Sequence, residues 1–211
     1  MVTVEQFSLF ERLFKYYNKA LFQNQLKDCL INMSRKKGAA GLFEPEMWIS
    51  SQKEHYHEIN ISPQCLEMES IEWHGVFVHN MVHLWQYDFG KPSRKGYHNK
   101  EWAQKMEEIG LIPSSTGKPS VKRTGQKVSQ YHNPVGLFIN AFNKLQKKES
   151  WYKPLPVLGS EDSGGKQFRT KFRCPFCGQN AWGKPTLFVI CGKCGKKLEP
   201  QNSTARRQKG G

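Results

Sequence analysis

Residues 78–86 read VHNMVHLWQ. His79 and His83, four apart, fall on one face of a helix, where both imidazoles can reach a single ion. In the H-E-x-x-H pattern of zinc hydrolysis the residue after the first histidine is a glutamate acting as general base; here it is Asn80. Histidines at this spacing also occur by chance on ordinary helices, so context must decide. A third histidine, His98, follows fifteen residues after His83 in GYHNKEW, beyond a Gly90–Pro92 break and at the start of another helical pattern. A chain that turns back at that break brings His98 over the His79/His83 face. It then completes a three-nitrogen site with its fourth position open. Glu101, just past His98, is the alternative third ligand.

A second constellation is stronger on spacing alone. CPFCG at 174–178 and CGKCG at 191–195 give Cys-x2-Cys, thirteen intervening residues and Cys-x2-Cys. Cys174, Cys177, Cys191 and Cys194 are thereby expected to surround one structural zinc as a ribbon, the glycine after each pair allowing the tight turn. A segment this small needs its metal to fold. Cys29 and Cys65 sit in apolar surroundings and read as plain thiols. Six cysteines so used fit a reducing compartment rather than a disulfide framework.

The elements that must carry these groups are legible in outline. Phe7, Phe10, Phe14, Tyr17 and Leu21 follow a helical period, with Thr3 and Gln6 as a capping box. CLINMSR (29–35), LFEPEMWIS (42–50) and HEINIS (57–62) read as short strands of an antiparallel sheet. Ser70 is placed to cap a helix over 71–88 that carries His79 and His83. NKEWAQKMEEIG predicts a third helix, residues 114–134 an extended basic loop, and VGLFINAFNKLQKK a short helix. PLPVLGSEDSGGK (154–166) reads as a linker. The expected organisation is an α+β core over 1–116, a loop, helix and linker over 117–166, the ribbon over 167–200 and a basic tail over 201–211.

Charge divides the chain. Residues 1–116 hold 13 Lys+Arg against 14 Asp+Glu, whereas residues 117–211 hold 19 against 4, so nearly all of the +14 lies in the second half. A neutral body with a basic half points to a polyanion, and aromatics among the basic residues (Tyr131, His132, Phe168, Phe172, Trp182) could stack on bases. Lys118, Lys122, Arg123, Lys127, Arg169, Lys171 and Arg173 are the candidate nucleic-acid contacts. No apolar run approaches the roughly 18 residues of a membrane span, and the N-terminus does not have the pattern of a signal peptide.

Taken together, VHNMVHLWQ, YHNKEWAQKMEEIGL with Trp102 as the aromatic after His98, and the four-cysteine set resemble the SprT-like, or Spartan-type, zinc metalloproteases in order along nearly the whole chain. The resemblance implies a zincin-like α+β core plus a β zinc ribbon, with one zinc held by His79, His83 and His98 and another in the ribbon. It also implies DNA binding and cleavage of proteins bound or crosslinked to DNA. The expected protein is a monomer in the cytoplasm, on the nucleoid in a bacterium or in the nucleus of a eukaryote.

Asn80 departs from that pattern. The family's glutamate accepts a proton from the attacking water and passes it to the leaving amine. A carboxamide has no basic oxygen at neutral pH and is one methylene shorter, so hydrolysis should be lost or nearly so while metal binding persists. Asn80 fits an engineered inactive form or a natural pseudoenzyme. Glu72 and Glu101 are the candidates for a relocated base. The alternative is a non-catalytic zinc-binding adaptor associated with DNA or transcription.

Overall fold

In a computed structural model that describes residues 1–35, 39–119, 122–147, 170–184 and 186–201, helical and alternating patterns become two compact units, one within residues 1–158 and one within 159–211. The first helix, α1 (Val2–Leu21), buries Leu9, Phe10, Leu13, Phe14, Tyr17 and Leu21. Each such side chain contributes roughly 1.5–3 kcal/mol when fully withdrawn from water. Phe7, expected on this face, stays 38% exposed, and the neighbouring Gln6 is buried in its place. The Thr3–Gln6 capping box does not form: the helix begins at Val2 with Met1 as cap residue, so Thr3 already lies inside the first turn.

Three strands follow: β1 (Leu30–Met33), β2 (Gly41–Ile49) and β3 (His55–Ile61), in the order β1-β3-β2. The expected antiparallel pairing holds for β2 with β3 but not for β1, which runs parallel to β3. Two short antiparallel hairpins cannot put β1 beside β3, so the connection through β2 fixes the mixed sheet. β2 is an edge strand, and its register shifts between Glu44 and Trp48 around Pro45 and Glu46 (φ +52°). A proline in a sheet is tolerated at such an edge bulge.

Helix α2 (Ser70–Phe89) lies across this sheet, and Phe10 of α1 stacks on its Phe77 at 6.2 Å. Ser70 is the first helical residue and Glu69 the cap position, with no side-chain cap bond, so the expected serine cap is absent. Helix α3 (Lys100–Glu108) is capped by Asn99, whose side chain accepts the Trp102 N–H. Next come β4 (Leu111–Ser114), β5 (Ser129–His132), antiparallel to β4, and α4 (Leu137–Gln146). The core runs past the expected boundary at 116, and the segment 114–134, expected as loop, contains β5. Phe138, Ala141 and Leu145 of α4 join the same apolar core as α1 and α2. The return of the chain depends on Gly110 (φ +86°) and Gly136: a β-carbon on either would stand within 2.9 Å of the other's Cα.

In the second unit, β6 (Thr170–Arg173) lies between β7 (Asn180–Gly183) and β8 (Glu199–Gln201), antiparallel to both. Among the described residues its buried cluster is Phe172, Cys174, Cys191 and Leu198, with Ala181, Val189 and Cys194 packed against it. So small an apolar core is what a metal-stapled module is expected to have. The proposed linker 154–166, Arg169 and the tail from 202 lie outside the described residues. Among the described residues no helix is long and apolar enough to cross a membrane.

Candidate metal centre

His79 and His83 project from one face of α2, and His98 arrives from the residue pair preceding α3. The turn-back inferred from Gly90 and Pro92 is made, and the donor atoms of the three rings all lie within 4.8 Å of one another. His98 is held by a two-bond backbone bridge to Gly125: His98 N donates to Gly125 O at 2.9 Å and Gly125 N to His98 O at 3.0 Å. The same carbonyl accepts from His98 Nδ1 at 3.0 Å. A carbonyl can only accept, so the ring proton is on Nδ1 and Nε2 carries a lone pair. His98 Nε2 faces His79 Nε2 at 3.1 Å. Two corners of a tetrahedral zinc–histidine site stand ~3.3 Å apart for Zn–N bonds of ~2.0–2.1 Å. The donor set therefore fits a zinc ion.

Electrostatics favour the neutral, ligating form. Burial holds the His79 pKa down to about 3, with His98 adding to it and the Gln130 bond opposing. Burial and the two other rings push His83 far down. Burial also lowers His98, against the pull of the Gly125 carbonyl. Trp102, fully buried on α3, forms the floor: its ring lies 4.7, 5.1 and 4.3 Å from those of His79, His83 and His98. Phe43 of β2 stacks parallel to His83 at 6.4 Å.

Asn80, the residue at the general-base position, is 3% exposed. Its Nδ2 donates to the Val76 carbonyl one turn earlier at 2.8 Å. The amide is thus tied to its own helix.

Glu101 is neither a ligand nor a free base. Its Oε2 accepts from Gln86 Nε2 and from Lys91 N, both at 2.7 Å, and so closes the turn after α2. Among the described residues no carboxylate, Glu72 included, joins the three-histidine group. The other histidines are structural or exposed. His74 Nδ1 is hydrogen-bonded to the Tyr17 hydroxyl at 2.7 Å, and His57 joins the Glu46 backbone to Asp88. His55 is exposed, and His132 is half-buried at the end of β5.

In the second unit the four thiols at Cys174, Cys177, Cys191 and Cys194 also fall within 4.8 Å of one another. Cys177 and Cys191 sulfurs are 3.5 Å apart, near the ~3.8 Å expected between corners of a tetrahedral Zn–S site with bonds of ~2.3 Å. Backbone N–H groups of Cys177 and Phe176 bond the Cys174 sulfur and bring its pKa down to about 7, whereas the neighbouring sulfurs of Cys177 and Cys191 push Cys194 up to about 12. The thiols of Cys29 and Cys65 are instead pushed up to about 12, chiefly by burial, which favours the protonated form.

Of the candidate nucleic-acid contacts, Lys118, Lys122, Arg123 and Lys127 are exposed on the β4–β5 connection, and Lys171 and Arg173 on β6. Arg123 Nη1 is paired with Glu107 Oε1 at 2.8 Å. Lys171 sits opposite Trp182, whose side chain is 62% exposed. Sequence reasoning missed Gly125 and Gln130, the latter 2.8 Å from His79 Nδ1. A glycine bend and a polar strand residue carry no mark of their neighbours.

No curated protein and no solved structure matches the chain. The family description "SprT-like family" matches residues 10–132, a span that begins within α1 and ends at the last residue of β5, taking in all three histidines and their hold on Gly125. With more than half its length so matched, the chain belongs to the SprT-like family.

Proposed function

We propose that this chain is a SprT-like zinc peptidase, directed to proteins bound or crosslinked to DNA, in a form that cleaves very poorly or not at all. The observation that carries the reading is the convergence of three neutral imidazoles beside a buried amide at position 80. A zinc ion held by His79, His83 and His98 supplies a Lewis acid that polarises a peptide carbonyl and makes water more acidic. The protein's part is to hold the rings, exclude solvent with Trp102 and Phe43, and move a proton. That last task fails. Asn80 has no basic atom, and its amide nitrogen is committed to Val76. Loss of a general base lowers rates ~10²–10⁴-fold.

DNA binding rests on the charge of +15 over residues 117–211 and on exposed Lys171, Arg173 and Trp182, a pairing of cations with a stacking surface that suits nucleic acid. Lys118, Lys122 and Lys127 add phosphate contacts from the first unit; Arg169 is assigned with them on sequence alone. The second reading is a pseudoprotease adaptor. The tether between Asn80 and its own helix favours it, since an amide so satisfied needs no substrate to complete it.

Incubation of the parent and an Asn80→Glu variant with a DNA-bound protein substrate separates the two. The peptidase reading expects cleavage to rise at least a hundredfold in the variant. Robust, equal cleavage by both removes the role given to residue 80, and no cleavage by either leaves the adaptor.

A further inference from the structure

Gln130 of β5 is buried against the back of His79, on the side of the ring away from its Nε2 contact with His98. It is 8% exposed, and its Oε1 lies 2.8 Å from His79 Nδ1. Its amide nitrogen lies toward Gly75 on α2, where a β-carbon would sit 3.6 Å from it. An amide oxygen only accepts, so this orientation puts the His79 proton on Nδ1 and leaves the lone pair on Nε2. His98 Nε2 carries a lone pair too, fixed by Gly125, and the two nitrogens face each other at 3.1 Å. Two lone pairs at that distance repel, and a cation held between them turns that repulsion into ligation.

The geometry points to Gln130 as a positioning residue that commits His79 to hold metal through Nε2. The inference rests on the three-histidine site and concerns how that site is tuned. An amide has two faces. Turned over, Gln130 would donate to His79 Nδ1, the ring proton would move to Nε2, and Nε2–H would bond the His98 lone pair. Glutamine thus satisfies both the loaded and the empty pocket. A carboxylate could only accept and would favour the loaded one, whereas an apolar side chain of similar length would fix neither. Outer hydrogen bonds of this kind typically change metal affinity by roughly 10–100-fold.

The test is cobalt(II) titration of the metal-stripped full chain. The nitrogen site is read from its visible ligand-field bands, and the ribbon serves as internal reference through its thiolate charge-transfer bands. Gln130→Met is expected to weaken the nitrogen site roughly 10–100-fold and leave the ribbon unchanged. Gln130→Glu is expected to bind at least as tightly as the parent. Nitrogen-site affinity in Gln130→Met within twofold of the parent overturns the inference, as does equal weakening by Glu and Met. A parent that shows only thiolate bands overturns the three-histidine site itself, which is a different signature.

Discussion

The amide of Asn80 occupies the space that a side chain at residue 41 would need: a β-carbon on Gly41 would stand 2.4 Å from Asn80 Nδ2. Gly41 begins the edge strand β2, so the residue at the general-base position of α2 is packed directly under the start of that strand.

This contact predicts a coupling. Gly41→Ala should break the Asn80–Val76 bond and destabilise the protein by about 1–3 kcal/mol, the usual range for overpacking. Asn80→Ala removes the nearest atoms in conflict, leaving Val76 Cγ1 at 3.0 Å, so the double variant should recover at least about 1 kcal/mol relative to additivity. Urea denaturation of the four proteins measures this. Additive losses would show that the two residues do not press on each other.

Acid should act on His74. Burial pushes its pKa down to about 3 from 6.5. Below about 6.5 the unfolded chain binds a proton that the folded chain refuses. Stability from this group is intact above 6.5, is lost as pH falls through the window, and levels off below about 3. The loss is at most about 1.4 kcal/mol per pH unit. Replacing the pair, with His74→Leu and Tyr17→Phe together, should flatten the decline between pH 7 and 5 by up to that amount. Equal declines in both proteins contradict the assignment.

Nucleic-acid affinity should fall steeply with salt. Each lysine that loses a phosphate contact reduces the log–log slope by about 0.9 on duplex or about 0.7 on single-stranded DNA. Lys118→Ala and Lys127→Ala should each show this in a salt titration followed by fluorescence anisotropy. Arg123→Ala should change the slope less, because Glu107 already pairs with that guanidinium. Salt-independent binding would sink the electrostatic reading.

What the sequence made legible follows from what each signal encodes. The His79/His83 spacing and the four cysteines report local geometry, because a helix face and a knuckle are set within a few residues. The helical period similarly placed α1, α2, α3 and α4. Pairing of β1 with β3, the short β4–β5 hairpin and the hold of Gly125 on His98 depend on residues far apart in the chain, and no local pattern announces them. The lysines of the basic loop mark it as an extended segment suited to phosphates. Its backbone nevertheless returns to the centre at Gly125 and Gln130, between the charges that mark it as surface. Glu101 is similar: a helical position suggests solvation or catalysis, while its partners, Gln86 and Lys91 N, come from the preceding helix and turn.

The number of metal ions per chain tests the three-histidine centre most directly. Elemental analysis of the purified full chain should find two zinc ions, one for His79, His83 and His98 and one for the cysteine set. His98→Ala should retain one. A parent with a single zinc, or a His98→Ala variant that keeps both, contradicts the three-histidine centre.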